Sequence, residues 1–285
     1  MTNEIENNGS GEQLSNRGHS RRDVLRLGSF ATLGAILGSG IMLGGATPAF
    51  AQKVDGTTKQ LASEPLNIVF AVYNGGTLLD FAGPSEVFHR LPNTNVRYAS
   101  LNGGTVTLEF GVKYGHTERL ADIRETDLIM VPGGSDMTEA MHPEFLAQIR
   151  RLAESAKYIT SVCTGSLSLA AAGVLKGKRS ACHWAFVNNL AKYGAIPVTD
   201  RFVEDDNGRF MSGGGVTSGI DFALRVAGKL KGKQSAEFTQ LVIEYDPAPP
   251  FHSGHPRSAP PEVLAMVEKV LPGATKGLAH IPGIK

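Results

Sequence analysis

The stretch "YITSVCTGSLSLAAAG", Tyr158–Gly173, decides the fold. A β-branched, apolar run, Tyr158–Val162, meets a small-residue segment with helical character. Only Cys163, Thr164 and Gly165 stand between them. A buried strand that turns at once into a helix is the repeating unit of a parallel α/β sheet. Such a turn lifts its central residue above the sheet edge and sets it at a helix N-terminus. There the backbone amides lower a thiol pKa and stabilise an anion. Gly165, lacking a side chain, permits close packing. The G-x-S-x-G elbow uses this geometry for serine, but here Ser161 occupies the first glycine position. For an isolated cysteine, a small inert packing residue is the plainer alternative.

The same grammar extends in both directions. "LNIVFAV" (Leu66–Val72) and "DLIMVPGG" (Asp127–Gly134) are continuous apolar runs, as in strands covered on both faces. Val96–Leu101 reads as another strand and Thr105–Gly115 as a hairpin. Asp80–Leu91 has helical spacing, with Pro84 suited to a first helical position. Pro143–Ala156 and Thr164–Leu175 are helical, and Arg179–Trp184 is a strand end or turn. Ala185–Tyr193 is helical and stops at Gly194. Arg201–Met211 is a hairpin about Asp206-Asn207-Gly208. A helix capped by Ser218 runs to Leu230. A further helix covers Ser235–Ile243. A loop with six prolines, Asp246–Pro261, precedes a terminal helix over Pro261–Leu271. The expected architecture is a three-layer α/β sandwich: a mostly parallel, flavodoxin-like sheet, helices on both faces and a cysteine elbow.

The chain has 285 residues, 41% hydrophobic and 19% charged, with a net charge of +1. That balance gives no reason to expect nucleic acid or an anionic surface as partner. Polar residues 1–20 precede Arg21-Arg22, then a Gly-rich apolar run, then "TPAFA" ending at Ala51. This is the pattern of a twin-arginine secretory leader. We therefore expect residues 1–51 to be removed, with the translocase as a transient partner and the periplasm as destination. A retained, signal-anchored form is the alternative. Residues 52–65 read as a linker, 66–245 as the α/β domain, and 246–285 as a Pro-rich tail with a terminal helix packed on it. Two cysteines, Cys163 and Cys182, are too few for a disulfide scaffold. Neither G-x-G-x-x-G nor a Walker A pattern occurs, so a dinucleotide cofactor is not expected; no other cofactor and no metal enters the expected site.

Parallel strands end on one edge, and sites form there. "VPGG" and Cys163 end two strands. The amides of Gly134 and Thr164 are thereby placed to form an oxyanion hole. Asp80 follows the first strand by a short turn, so a carboxylate beside the thiol can serve as acid or base. Read alone, Asp80 is equally a helix cap, and His183 equally a core histidine beside Trp184.

Together "LLDFAGPSEVF", "VPGG", "SVCTGSLSLAAAGVLKGKR", "CHWAF" and "GGGVTSGIDFAL" resemble the ThiJ/PfpI superfamily, and within it the isonitrile hydratase branch. The resemblance covers about Leu66–Tyr245. It implies Cys163 as nucleophile, Asp80 as its carboxylate partner and Thr164 as a contributor of hydroxyl and amide. Gly133, Gly134 and His183 would line the oxyanion and substrate side. Protease-like branches have histidine after the cysteine; Thr164 stands there instead, which puts a proteolytic pair in doubt. The resemblance further implies a small-molecule substrate, hydration of an isonitrile to a formamide, and a homodimer. Competing expectations are a ligand-sensing module, a redox or stress protein oxidised at Cys163, and a hydrolase of another small carbonyl or amide. A DNA-binding regulator would need a further domain, whereas about forty residues follow Tyr245.

Overall fold

The computed structural model describes residues 64–275. The expected leader (1–51), nearly all of the expected linker (52–65) and residues 276–285 lie outside the described residues. Strand β1, Leu66–Ala71, carries the first apolar run. Ile68, Phe70 and Val72 enter one core; Val69, Ala71 and Tyr73 enter the other. Both faces are dry, so the run has no polar alternation.

The other strands are β2 (Thr94–Ser100), β3 (Gly104–Thr107), β4 (Lys113–Arg119), β5 (Leu128–Val131), β6 (Tyr158–Val162), β7 (Arg179–Ser180), β8 (Ile196–Pro197), β9 (Phe202–Asp205) and β10 (Phe210–Gly213). Eight of them form one sheet in the order β3-β4-β2-β1-β5-β6-β10-β9, and β7 pairs with β8 apart from it. The six inner strands run parallel, with Val131 beside Ser161 and Ser161 beside Ser212. The edge strands β3 and β9 run antiparallel to their neighbours.

Helix α1 (Leu78–Phe88) and helix α4 (Ser218–Lys231) cover one face, burying Phe81, Val87, Phe88, Phe222, Val226 and Leu230. Helix α2 (Pro143–Ser155) and helix α3 (Gly165–Ala171) cover the other with Phe145, Ile149, Leu152, Leu167 and Leu169. Each such side chain contributes about 1.5–3 kcal/mol by leaving water. Helices α5 (Lys233–Val242) and α6 (Pro261–Val270) follow. The three-layer sandwich expected from the sequence is the fold observed.

Several local expectations change. Helix α1 begins at Leu78, so Pro84 is its seventh residue and not its first. Pro84 has no N–H for the Asp80 carbonyl, and its ring packs where Gly219 leaves room, 3.2 Å from the position of a would-be Cβ. Asp80 is therefore inside the first turn, and it does not cap a helix starting near Pro84. The expected helix over Ala185–Tyr193 is a 3-10 helix over Val187–Tyr193, closed by Gly194 in the left-handed region. The helix after the elbow is only seven residues long. Ser218 does not cap its helix: Thr217 is the flanking residue, and no side chain caps that end.

Candidate active site

Parallel pairing brings the C-terminal ends of β1, β5, β6 and β10 to one edge, and three helix starts converge there. Cys163 leaves β6 with φ of +60°, a left-handed conformation that costs a non-glycine residue about 1–3 kcal/mol. Its amide donates to the Gly214 carbonyl at 2.7 Å, which ties the elbow to the end of β10. Gly165 follows where helix α3 crosses β5. A Cβ there would lie 2.1 Å from the Val131 carbonyl oxygen, so only glycine fits.

Asp80 is fully buried in the first turn of α1. The Gly133 amide donates to its Oδ2 at 2.9 Å. Its Oδ1 receives no N–H or O–H hydrogen bond; the polar group beside the carboxyl is the Cys163 thiol. Burial is the main cause that raises the Asp80 pKa from 3.8 to about 7. The hydrogen bonds from Cys163 and Gly133 pull it back, and the nearby Glu109 charge adds to the rise. A carboxyl tuned in this way exchanges protons near neutrality.

The thiol itself departs from expectation. Burial first, and then the Asp80 charge, push the Cys163 pKa well above 9.0. The Thr164 amide, hydrogen-bonded to the sulfur, lowers it, as the helix start predicts, but burial and Asp80 outweigh that pull. The resting pair is thus a neutral thiol beside a titrating carboxyl, not a free thiolate.

The two glycines and Thr164 interlock. Thr164 Oγ1 accepts from the Gly134 amide and donates to the Gly134 carbonyl, both at 2.9 Å, with Met137 Sδ at 3.3 Å. The expected oxyanion donor at Gly134 is therefore occupied by the Thr164 hydroxyl, and the Gly133 amide is occupied by Asp80. Of the expected donors, only the Thr164 amide faces the sulfur. A Cβ at Gly133 would come within 2.5 Å of Thr164 N and 2.7 Å of Asp80 Oδ2, so this position locks carboxyl and elbow together.

His183 makes no hydrogen bond to Asp80, Cys163 or Thr164. It is half-buried on the loop after β7, and its Nδ1 accepts from the Ala185 amide at 3.3 Å. Its ring packs against Gly215, Trp184 and Phe186. Burial alone lowers its pKa, with no contribution from Asp80 or Cys163.

Three further neighbours were given no site role from the sequence. Tyr73, at the end of β1, is fully buried, and its hydroxyl donates to Met137 Sδ at 3.2 Å. Burial and the Asp80 and Cys163 charges raise its pKa well above 10.0. Glu109, at the β3–β4 tip, accepts from Thr77 Oγ1 at 2.8 Å and from the Ser135 amide at 2.6 Å. It thereby ties the β1 and β5 loops. Cys182 is buried and free, as is Cys163; burial raises its pKa to about 12, and the Asp80 charge adds to that. Tyr73 alone had a positional hint, the end of a buried strand.

Residues 67–229 match the model of the DJ-1/PfpI family. An isonitrile hydratase of Pseudomonas putida is 44% identical over 205 residues, 72% of this chain and 89% of that protein. The crystal structure of a ThiJ/PfpI family protein from Pseudomonas syringae superposes with a TM-score of 0.72 at 35% identity. It covers 82% of this chain and 96% of that one. The HTH-type transcriptional regulator CdhR of Pseudomonas aeruginosa is 30% identical over 138 residues, 48% of this chain and 41% of the regulator.

Proposed function

The chain belongs to the DJ-1/PfpI family, and from that premise we propose that it is an exported, cysteine-dependent isonitrile hydratase. The observation that carries this reading is the buried pair of Cys163 and Asp80, a neutral thiol against a carboxyl poised near neutrality. The 44% identical hydratase supports it.

An isonitrile, R–N≡C, must gain both sulfur and hydrogen on its terminal carbon. The Cys163 S–H supplies both: Asp80 takes the proton from sulfur and passes it to carbon as the S–C bond forms. The product is the thioimidate Cys163–S–CH=N–R. Water then adds to that carbon and gives one proton to Asp80, which passes it on to nitrogen. The C–S bond breaks, sulfur takes back a proton, and R–NH–CHO leaves. The balance is one isonitrile and one water to one N-substituted formamide. Thr164 acts through its amide on the sulfur, and Gly133 and Gly134 hold Asp80 and Thr164 in place. His183 lines the outer side.

A redox-sensing role is less well supported, because oxidation follows thiolate character and exposure, and Cys163 is a neutral thiol with 5% exposure. The ligand-sensing alternative rests on a regulator of which the match spans 41%. The Arg21-Arg22 leader is proposed to take the protein to the periplasm, where residues 52–285 remain. Homodimer formation would cover exposed apolar side chains such as Phe110, Leu241, Met266 and Val270. The test is to incubate the protein with a simple alkyl isonitrile and follow the formamide. We expect turnover by the unaltered protein and none by Cys163→Ala. Equal turnover by that variant removes Cys163 from the reaction.

A further inference from the structure

We infer that the Ser218 hydroxyl is a further catalytic group, the hydrogen-bond donor to the nitrogen lone pair that forms as the isonitrile becomes its thioimidate; this rests on the hydratase reading. Four side-chain polar atoms among the described residues are buried with no hydrogen-bond partner: Asp80 Oδ1, Ser168 Oγ, Ser218 Oγ and Thr239 Oγ1. Orphaned buried groups are rare because they cost stability, and they call for a reason. Asp80 belongs to the site already described. Ser218 stands beside the same elbow.

Its position follows from three contacts. Gly214 holds the Cys163 amide through its carbonyl, and Ser218 Oγ lies 3.7 Å from where a side chain at Gly214 would begin. Cys163 belongs to the hydrophobic cluster on the face of the sheet that α1 and α4 cover, the cluster that also holds Phe81, Phe222 and Ala223. The second turn of α1, one turn beyond Asp80, touches the first turn of α4, Gly83 against Ile220 and Pro84 against Gly219. Thiol, carboxyl and orphaned hydroxyl thus occupy the junction of β6, α1 and α4. Ser218 is the first residue of a fourteen-residue helix whose starting amides are not capped by any side chain. A hydroxyl there is held where electron density on a ligand atom is favoured.

The reaction needs such a donor. When sulfur and hydrogen add to the isonitrile carbon, one C–N π pair becomes a lone pair on nitrogen. During that addition Asp80 is engaged with the proton passing from sulfur to carbon and serves nitrogen only later, as water adds, so the first step leaves nitrogen without an assigned donor. A hydrogen bond from Ser218 withdraws that density, and in the thioimidate it makes the carbon more open to water. Ser218 gives up no net proton and is unchanged after each cycle.

The experiment compares the unaltered protein with Ser218→Ala and Ser218→Thr on cyclohexyl isonitrile. It measures formamide formation, the intact mass of acid-quenched protein during turnover, and Tm. For Ser218→Ala we expect kcat to fall about a hundredfold, with the thioimidate mass accumulating on Cys163. Its Tm should be unchanged or higher, because an orphaned buried hydroxyl has been removed. Ser218→Thr, which keeps the hydroxyl, should recover most of the rate. The assignment is overturned if Ser218→Ala turns over as fast as the unaltered protein, or if it slows with a lower Tm and no accumulated adduct. If the unaltered protein itself produces no formamide, the hydratase reading fails and this role fails with it.

Discussion

At Cys163 two influences oppose each other, and burial with the Asp80 charge outweighs the Thr164 amide. The thiol is consequently kept neutral until a substrate arrives, and Asp80 sets the terms. Replacing Asp80 by Asn removes the neighbouring charge that holds the thiol up, so the Cys163 pKa should fall. Alkylation of Cys163 by iodoacetamide at pH 8 should then be faster than in the unaltered protein, while formamide turnover is lost. Slower alkylation together with loss of turnover would point to a collapsed site. The same residue shapes stability. Its folded-state pKa, about 7, lies above the ordinary 3.8, so the protonated carboxyl favours the folded state. The contribution is fully present below about pH 4 and is lost as pH rises through about 7, at most ~4 kcal/mol. Denaturant unfolding between pH 4 and 8 should show this slope, and Asp80→Asn should flatten it.

At the scale of elements, the elbow depends on β6 and α3 meeting without a loop. Gly165 makes that possible by passing the Val131 carbonyl. Gly165→Ala should destabilise the protein by about 1–3 kcal/mol in denaturant unfolding, and should lower turnover by displacing Thr164. An unchanged midpoint would mean that α3 can shift freely. The strand-to-helix grammar was legible because parallel strands buried on both faces leave unbroken apolar runs, as in Leu66–Val72. Asp80, Cys163 and Thr164 were legible for a related reason: each follows such a run closely. Glu109, Met137 and Cys182 were not, because each reaches the cluster from an element distant in sequence through contacts that only the folded sheet creates. The start of α1 was misplaced because Pro84 mimics a helix beginning, while packing against Gly219 accommodates it in the interior. The thiol pKa was misjudged because a helix start is visible in sequence and the depth of burial is not.

At the scale of the whole molecule, the sandwich covers both faces of its sheet, yet some apolar side chains remain outside. Leu241 is 80% exposed, Met266 65% and Val270 74%, an arrangement that suits the proposed homodimer. The proposed leader adds a second expectation at this scale. Changing Arg21 and Arg22 together to Lys should keep the chain in the cytoplasm with residues 1–51 attached, as read by fractionation and mass. Continued delivery to the periplasm would contradict a twin-arginine route.

The central claim is that Cys163 carries the substrate covalently, and intact-protein mass during turnover tests it most directly. Acid quenching in the presence of an alkyl isonitrile should reveal a species heavier by the mass of one isonitrile, mapped to Cys163 and absent in Cys163→Ala. Formamide produced with no mass on Cys163 at any time, and with Cys163→Ala equally active, would contradict the account.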